Sequence, residues 1–150
     1  MIRKRDIKIT SDKEFKVDKF ETKSLIANVL KILSLELSFI QVNFINNNNL
    51  LKINKQYLGH EYYTDIITFN YSEGNQVDCE LFISYECAYS NSQKYHVSYN
   101  SELIRLIVHG ILHVAGYDDT THEKKVIMKK IENRLEKQFN NKFHVIKNEH

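Results

Sequence analysis

Residues 101–119 read S-E-L-I-R-L-I-V-H-G-I-L-H-V-A-G-Y-D-D. Leu103, Ile104, Leu106, Ile107, Val108, Ile111, Leu112 and Val114 cover most of a helix circumference. A helix that is apolar nearly all round is a buried one. One narrow stripe is polar: Glu102, Arg105, His109 and His113. At ~100° per residue these four fall within about a quarter of the circumference. Polar groups on a buried helix are costly unless they find partners, and a metal, an anion or a water-filled cleft would supply them. His109 and His113 stand four residues apart, one turn above each other on one face, where two imidazoles can hold one ion. Gly116 tolerates positive φ and lets the chain end the helix and turn. A third ligand can then come back from just past the turn. Asp119 stands there, with His122 as a rival three residues on.

Working outward, Ser101 is the expected N-cap of this buried helix. Beyond the turn, Thr120 and Glu123 have capping-box spacing, which opens a last helix running to about Phe139. Thr120 as N-cap places Asp119 just outside that helix, free to face the two histidines, and favours it over His122. Val126, Ile127, Ile131, Leu135 and Phe139 are the expected inner side of the last helix. Lys124, Lys125, Lys129, Lys130, Arg134 and Lys137 are on its other faces and could track a phosphate backbone, although most read as an ordinary solvated face. The tail after Phe143 is expected to fray.

Upstream, Ile7 and Ile9 suggest a short first strand. Leu25, Ile26, Val29, Leu30, Leu33 and Leu37 form a helical stripe from about residue 21 to 37. Ile40, Val42 and Phe44 alternate with polar residues as a half-buried strand. The four asparagines 46–49 read as a turn ending in an N-cap, and Gly59 suits the stop of the helix that follows. D-I-I-T-F-N-Y, residues 65–71, is apolar on both sides and reads as a central strand. Val77, Cys79, Leu81 and Ile83 alternate as another strand, and residues 86–96 read as a weaker helix. No repeat and no linker interrupts the chain, which has no Pro and only 4 Gly. The expected fold is a single α/β (α+β) domain over residues 1–150.

The 150 residues are 42% hydrophobic and 27% charged, ordinary for a globular protein with a sizeable core. A net charge of +2 neither announces nor excludes a nucleic-acid partner. No apolar run reaches the ~20 residues of a membrane span, and no apolar signal core follows the basic start. A cytoplasmic protein is expected. Cys79 and Cys87 lack Cys-x-x-Cys spacing and read as buried thiols.

Three protein ligands with an open fourth position is the pattern of a catalytic zinc site. A zinc peptidase of the His-Glu-x-x-His kind places its general base directly after the first histidine. Gly110 stands there, which weakens the peptidase reading. Two histidines and a carboxylate also occur in iron oxygenases, but nothing else in the chain suggests a cosubstrate site. Arg105, one turn before His109, suits an anionic substrate; its alternative is an ion pair with Glu102 or another carboxylate.

Three segments together resemble the YbeY family. They are the run from Leu51 to Phe69, with its Asn54, Tyr57, Tyr62 and T-D-I-I-T-F; the strand E-L-F-I-S; and the H-G-x-L-H-x-x-G-Y block. The resemblance runs from about Ile40 to Phe139. It implies a small, mostly parallel, four-stranded mixed sheet flanked by about five helices. It also implies a zinc-dependent, single-strand-specific endoribonuclease acting in small-subunit (16S) ribosomal RNA maturation and ribosome quality control, with ribosomal RNA and the small ribosomal subunit as partners. The implied ligand positions are His109, His113 and Asp119. The family's third ligand is usually histidine, so Asp119 is a departure; it should acidify a bound water less and suit harder ions such as manganese better. Where the family commonly has an arginine after its tyrosine this chain has Leu58, and Arg105 is the expected source of the missing charge and the candidate catalytic residue. A metallopeptidase-like hydrolase and a non-catalytic ribosome-assembly factor with a structural metal are the alternatives.

Overall fold

The structure, a computed structural model, describes residues 2–60 and 63–147. Tyr62 of the tyrosine-rich motif therefore lies outside the described residues. After a 3-10 turn at Lys4–Asp6 come β1 (Ile7–Ser11), α1 (Lys19–Ile32), β2 (Glu36–Ile45), α2 (Asn47–Leu58) and β3 (Ile66–Asn70). β4 (Gln76–Ser84), α3 (Tyr85–Tyr95), α4 (Tyr99–Val114) and α5 (His122–Phe139) follow. The strands form one sheet in the order β1-β2-β4-β3. β1 and β4 both run parallel to β2, and β3 runs antiparallel to β4. This is the expected mixed, mostly parallel sheet of four strands with five α-helices.

Strand alternation sorts the sheet into two faces. Ile40, Val42 and Phe44 of β2 stand beside Cys79, Leu81 and Ile83 of β4, and all six are buried. This face carries α4, ten of whose sixteen residues are buried. Gly110 is a point of close approach between the helix and the sheet. A Cβ built there would lie 2.9 Å from Leu81 Cδ1 and 3.1 Å from Ile66 Cδ1. The other face is covered in part by α2, where Tyr57 meets Phe69 edge-on at 5.8 Å and Phe69 meets Phe82 at 5.9 Å.

β3 is an edge strand, not the central one its sequence suggests. Its apolar pattern comes from having α4 on one face and α2 on the other, so both faces are shielded while one edge has no partner strand. The first helix is also shorter than its stripe implied. It ends at Ile32, Ser34 takes a positive φ of 56°, and Leu37 belongs to β2.

Caps set the helix starts, and three of them differ from expectation. Ser98, not Ser101, caps α4 and accepts from the Ser101 amide. Thr121, not Thr120, caps α5 and accepts from the Lys124 amide at 3.2 Å. Asn46, the first of the four asparagines, caps α2, so the rest of the run is helical. Gly59 ends that helix in the left-handed region, as read from the sequence.

The tail is held through Lys147, against the expectation of fraying. Phe143 and Val145 are buried. Ile146 bridges to Val17, and the Lys147 amide donates to Lys16 O at 2.8 Å. Asn100 donates to the carbonyls of Asn140 and Phe143 and accepts from the Val145 amide.

The close approach at Gly110 predicts that Gly110→Val overpacks the joint between α4 and the sheet. It should lower stability by about 1–3 kcal/mol, read as a lower urea midpoint with an unchanged m-value.

Candidate metal centre

The polar stripe of α4 is met by carboxylates. Glu102 is 1% exposed and accepts two hydrogen bonds from Arg105, 2.6 Å from Nη2 and 2.9 Å from Nε. Such a fork is a strong, directional pairing. Arg105 Nη1 also donates to Glu132 Oε1 at 3.3 Å. The other oxygen of Glu132 lies 2.7 Å from His109 Nδ1, so Nδ1–H donates to it. Asn91 Nδ2 links Glu102 to Asp65 at 3.2 Å each. Among the described residues no buried side-chain nitrogen or oxygen is left without a partner.

These pairings shift the ionisation of the stripe. The hydrogen bond to Glu132 raises the His109 pKa, burial works against it, and the charges of Glu132, Asp65 and Asp119 add to the rise. The hydrogen bond to Glu102 raises Arg105 further above its already high value. With Nδ1 bound to a carboxylate, the remaining donor atom of His109 is Nε2. A carboxylate behind one imidazole nitrogen, fixing the ring for a metal at the other, is the usual support of a histidine ligand.

His109, His113 and Asp119 line one cleft of about 280 Å³ together with Asn54, Thr64 and Thr68. α4 supplies the histidines, and the open edge of β3 supplies Thr68. Asp119 comes from the turn after Gly116, whose φ is 102°. Its neighbour Asp118 is engaged locally. The Thr120 amide and hydroxyl donate to Asp118 Oδ1 at 3.1 and 2.8 Å and hold its carboxyl below the usual range. Thr120 therefore serves the turn and not the helix cap. His122 lies elsewhere, in a hollow on the outer face of α5 with Lys125 and Val126.

Two imidazoles and a carboxylate facing one cleft suit a zinc ion in donor chemistry. Among the described residues no group of three His, Cys, Asp or Glu side chains is arranged to hold an ion as it stands. The three candidates share a cleft without closing into a ligand set. Arg105 is not brought to that cleft; it lines a separate hollow with Tyr95 and Lys129. Cys79 does not line the cleft. Burial, then the charges of Asp78 and Glu80, push its thiol up to about 12. At the position of a peptidase glutamate, Gly110 faces the side-chain tips of Leu81 and Ile66, which a Cβ there would crowd.

Glu132 is the residue that the sequence hid. The apolar pattern had placed Val126 and Ile127 inside, but they are 39% and 52% exposed. The buried line of α5 is Met128, Glu132, Leu135 and Phe139. Turning Glu132 inward to meet Arg105 and His109 rotates Val126 and Ile127 outward. The available signal was its spacing, since positions 128, 132, 135 and 139 follow one helix face.

The model of the family Endoribonuclease YbeY matches residues 7–140. A Parabacteroides distasonis protein named Endoribonuclease YbeY is 47% identical over 91 residues, covering 61% of this chain and 64% of its own. The chain thus spans a little under two thirds of that relative. One of the same name from Bacteroides fragilis is 41% identical over 118 residues, covering 79% of this chain and 85% of its own. A solution structure from Thermotoga maritima shares the fold, with a TM-score of 0.58, 23% identity and coverage of 90% and 92%.

Glu132→Ala should lower stability by about 1–3 kcal/mol, since it removes the acceptor of a buried hydrogen-bond chain. Glu123→Ala, at an exposed position of the same helix, should stay within about 0.5 kcal/mol of the parent. Urea denaturation of the two variants side by side measures the difference.

Proposed function

The chain belongs to the Endoribonuclease YbeY family, and from that premise we propose that it is a zinc-dependent endoribonuclease acting on single-stranded RNA. The observation that carries the reading is the shared cleft of His109, His113 and Asp119. These three would hold the ion, with other divalent ions as possible substitutes. A divalent ion there supplies Lewis-acid stabilisation to a phosphodiester under attack.

The chain's own groups do the rest. Glu132 holds the His109 ring by its Nδ1 and keeps Nε2 as the donor. Arg105 holds Glu132 in turn, and Glu102 holds Arg105, so Arg105 acts on the site through Glu132 rather than by touching substrate. Thr64 and Thr68 line the cleft with hydroxyls that can hydrogen-bond a strand entering it. The physiological substrate in this proposal is small-subunit ribosomal RNA, with roles in its maturation and in ribosome quality control. The partner is the small ribosomal subunit and the setting the cytoplasm. Among the described residues no helix is long and apolar enough to cross a membrane.

Metal content and cleavage of a single-stranded RNA should be measured for the wild type beside His113→Ala and Asp119→Ala. The wild type should carry about one zinc per chain and cut single-stranded in preference to double-stranded RNA. Both variants should lose zinc, and cleavage should fall by more than about 100-fold. Metal loss in the first alone would transfer the third position to His122. Full metal with no cleavage above a mock purification would favour an assembly factor.

Glu132→Gln should bind zinc about 10- to 100-fold more weakly while remaining folded, as competition with a chelator would show.

A further inference from the structure

Among the described residues no Lys or Arg lines the proposed cleft. Leu58 is among its lining residues, and Arg105 is engaged by Glu102 and Glu132. A polyanionic strand must find its counter-charge elsewhere, because phosphate neutralisation dominates nucleic-acid affinity.

The outward rotation of α5 builds such a place. His122, Lys125, Val126, Lys129, Lys130 and Asn133 line a hollow of about 350 Å³ on its outer face. All six are exposed. Among the described residues Lys125, Lys129 and Lys130 form no ion pair; the one ion pair of α5's outer lysines joins Lys124 to Asp118 at 3.5 Å. The hollow has cationic walls and an apolar element in Val126, which is 39% exposed. Lys129 and Asn133 also line the adjoining hollow, where Tyr95 is 57% exposed and Lys94 Nζ lies 5.3 Å from the centroid of its ring. From residue 122 to 133 the face is about 16 Å long. In sequence it begins three residues beyond Asp119, which lines the cleft.

We propose that this face of α5 is a track for the phosphate backbone of single-stranded RNA, leading into the cleft. The inference rests on the proposed endoribonuclease reading but is tested by binding, which does not require cleavage. Each lysine contacts the backbone as a point charge without base selectivity.

The test compares wild type with two triple variants of equal charge change. One is Lys125→Glu/Lys129→Glu/Lys130→Glu. The control is Lys8→Glu/Lys19→Glu/Lys31→Glu, exposed lysines of β1 and α1 at the opposite edge of the sheet. Circular dichroism establishes that all three are folded. The probe is a fluorescent single-stranded oligouridylate, titrated at several salt concentrations, with polyglutamate of matched charge as comparison. The track variant should bind at least about tenfold more weakly, and its log–log salt slope should flatten by about 2, as expected for three lost phosphate contacts. The control should keep the wild-type slope. Equal losses in both variants, an unchanged slope in the track variant, or polyglutamate bound as tightly as RNA would each overturn the track. Wild type that cuts RNA while the track variant keeps its slope refutes the track alone. Wild type that binds RNA through the track without cutting it refutes the nuclease reading alone.

Discussion

A buried helix with a polar stripe must be answered by buried partners, and α4 imposes that condition on the rest of this molecule. Its apolar faces pack on the sheet, so Glu102, Arg105 and His109 cannot all reach water. The answer is a chain of hydrogen bonds from Glu102 through Arg105 and Glu132 to His109. Glu132 comes from α5, so the need to satisfy α4 fixes how α5 rotates. That rotation carries Met128, Leu135 and Phe139 inward and turns Val126, Ile127 and three unpaired lysines outward. A partly buried ionic network is weak evidence for stability in itself. Its clearest consequence here is orientation: one histidine is held by Nδ1, at the edge of a cleft.

The cleft follows from where the sheet ends. β3 is the last strand, with α2 over one face and α4 over the other. Its open edge, Asn54 of α2 and the histidines of α4 form three walls, and the turn after Gly116 brings Asp119 to the fourth side. An exposed strand edge is a liability in most folds. Here the edge strand is short, at five residues, and it lines the proposed site.

Much of this was legible in the sequence because it depends on periodicity and spacing. The i, i+4 histidines, the all-round apolar helix and the alternating strands are local signals, and all three elements stand where the pattern put them. Three features were not legible: two depend on what another element presents, and the third on competition within one turn. β3 read as central because burial on two faces looks the same whether strands or helices provide the neighbours. Val126 and Ile127 read as inner side chains because apolarity alone does not reveal that a carboxylate has the stronger claim to the interior. The cap moved from Thr120 to Thr121 because Asp118 captured the Thr120 hydroxyl and amide in the turn. Asp119 and His122 are three residues apart, yet they line different hollows.

The proposed metal site would draw two imidazoles and one carboxylate from α4 and its following turn. X-ray absorption at the zinc edge of the loaded protein tests it directly. The account predicts a shell of nitrogen and oxygen at about 2.0–2.1 Å, with multiple scattering from two imidazoles and no sulfur. A third imidazole, or a sulfur shell near about 2.3 Å, would contradict it.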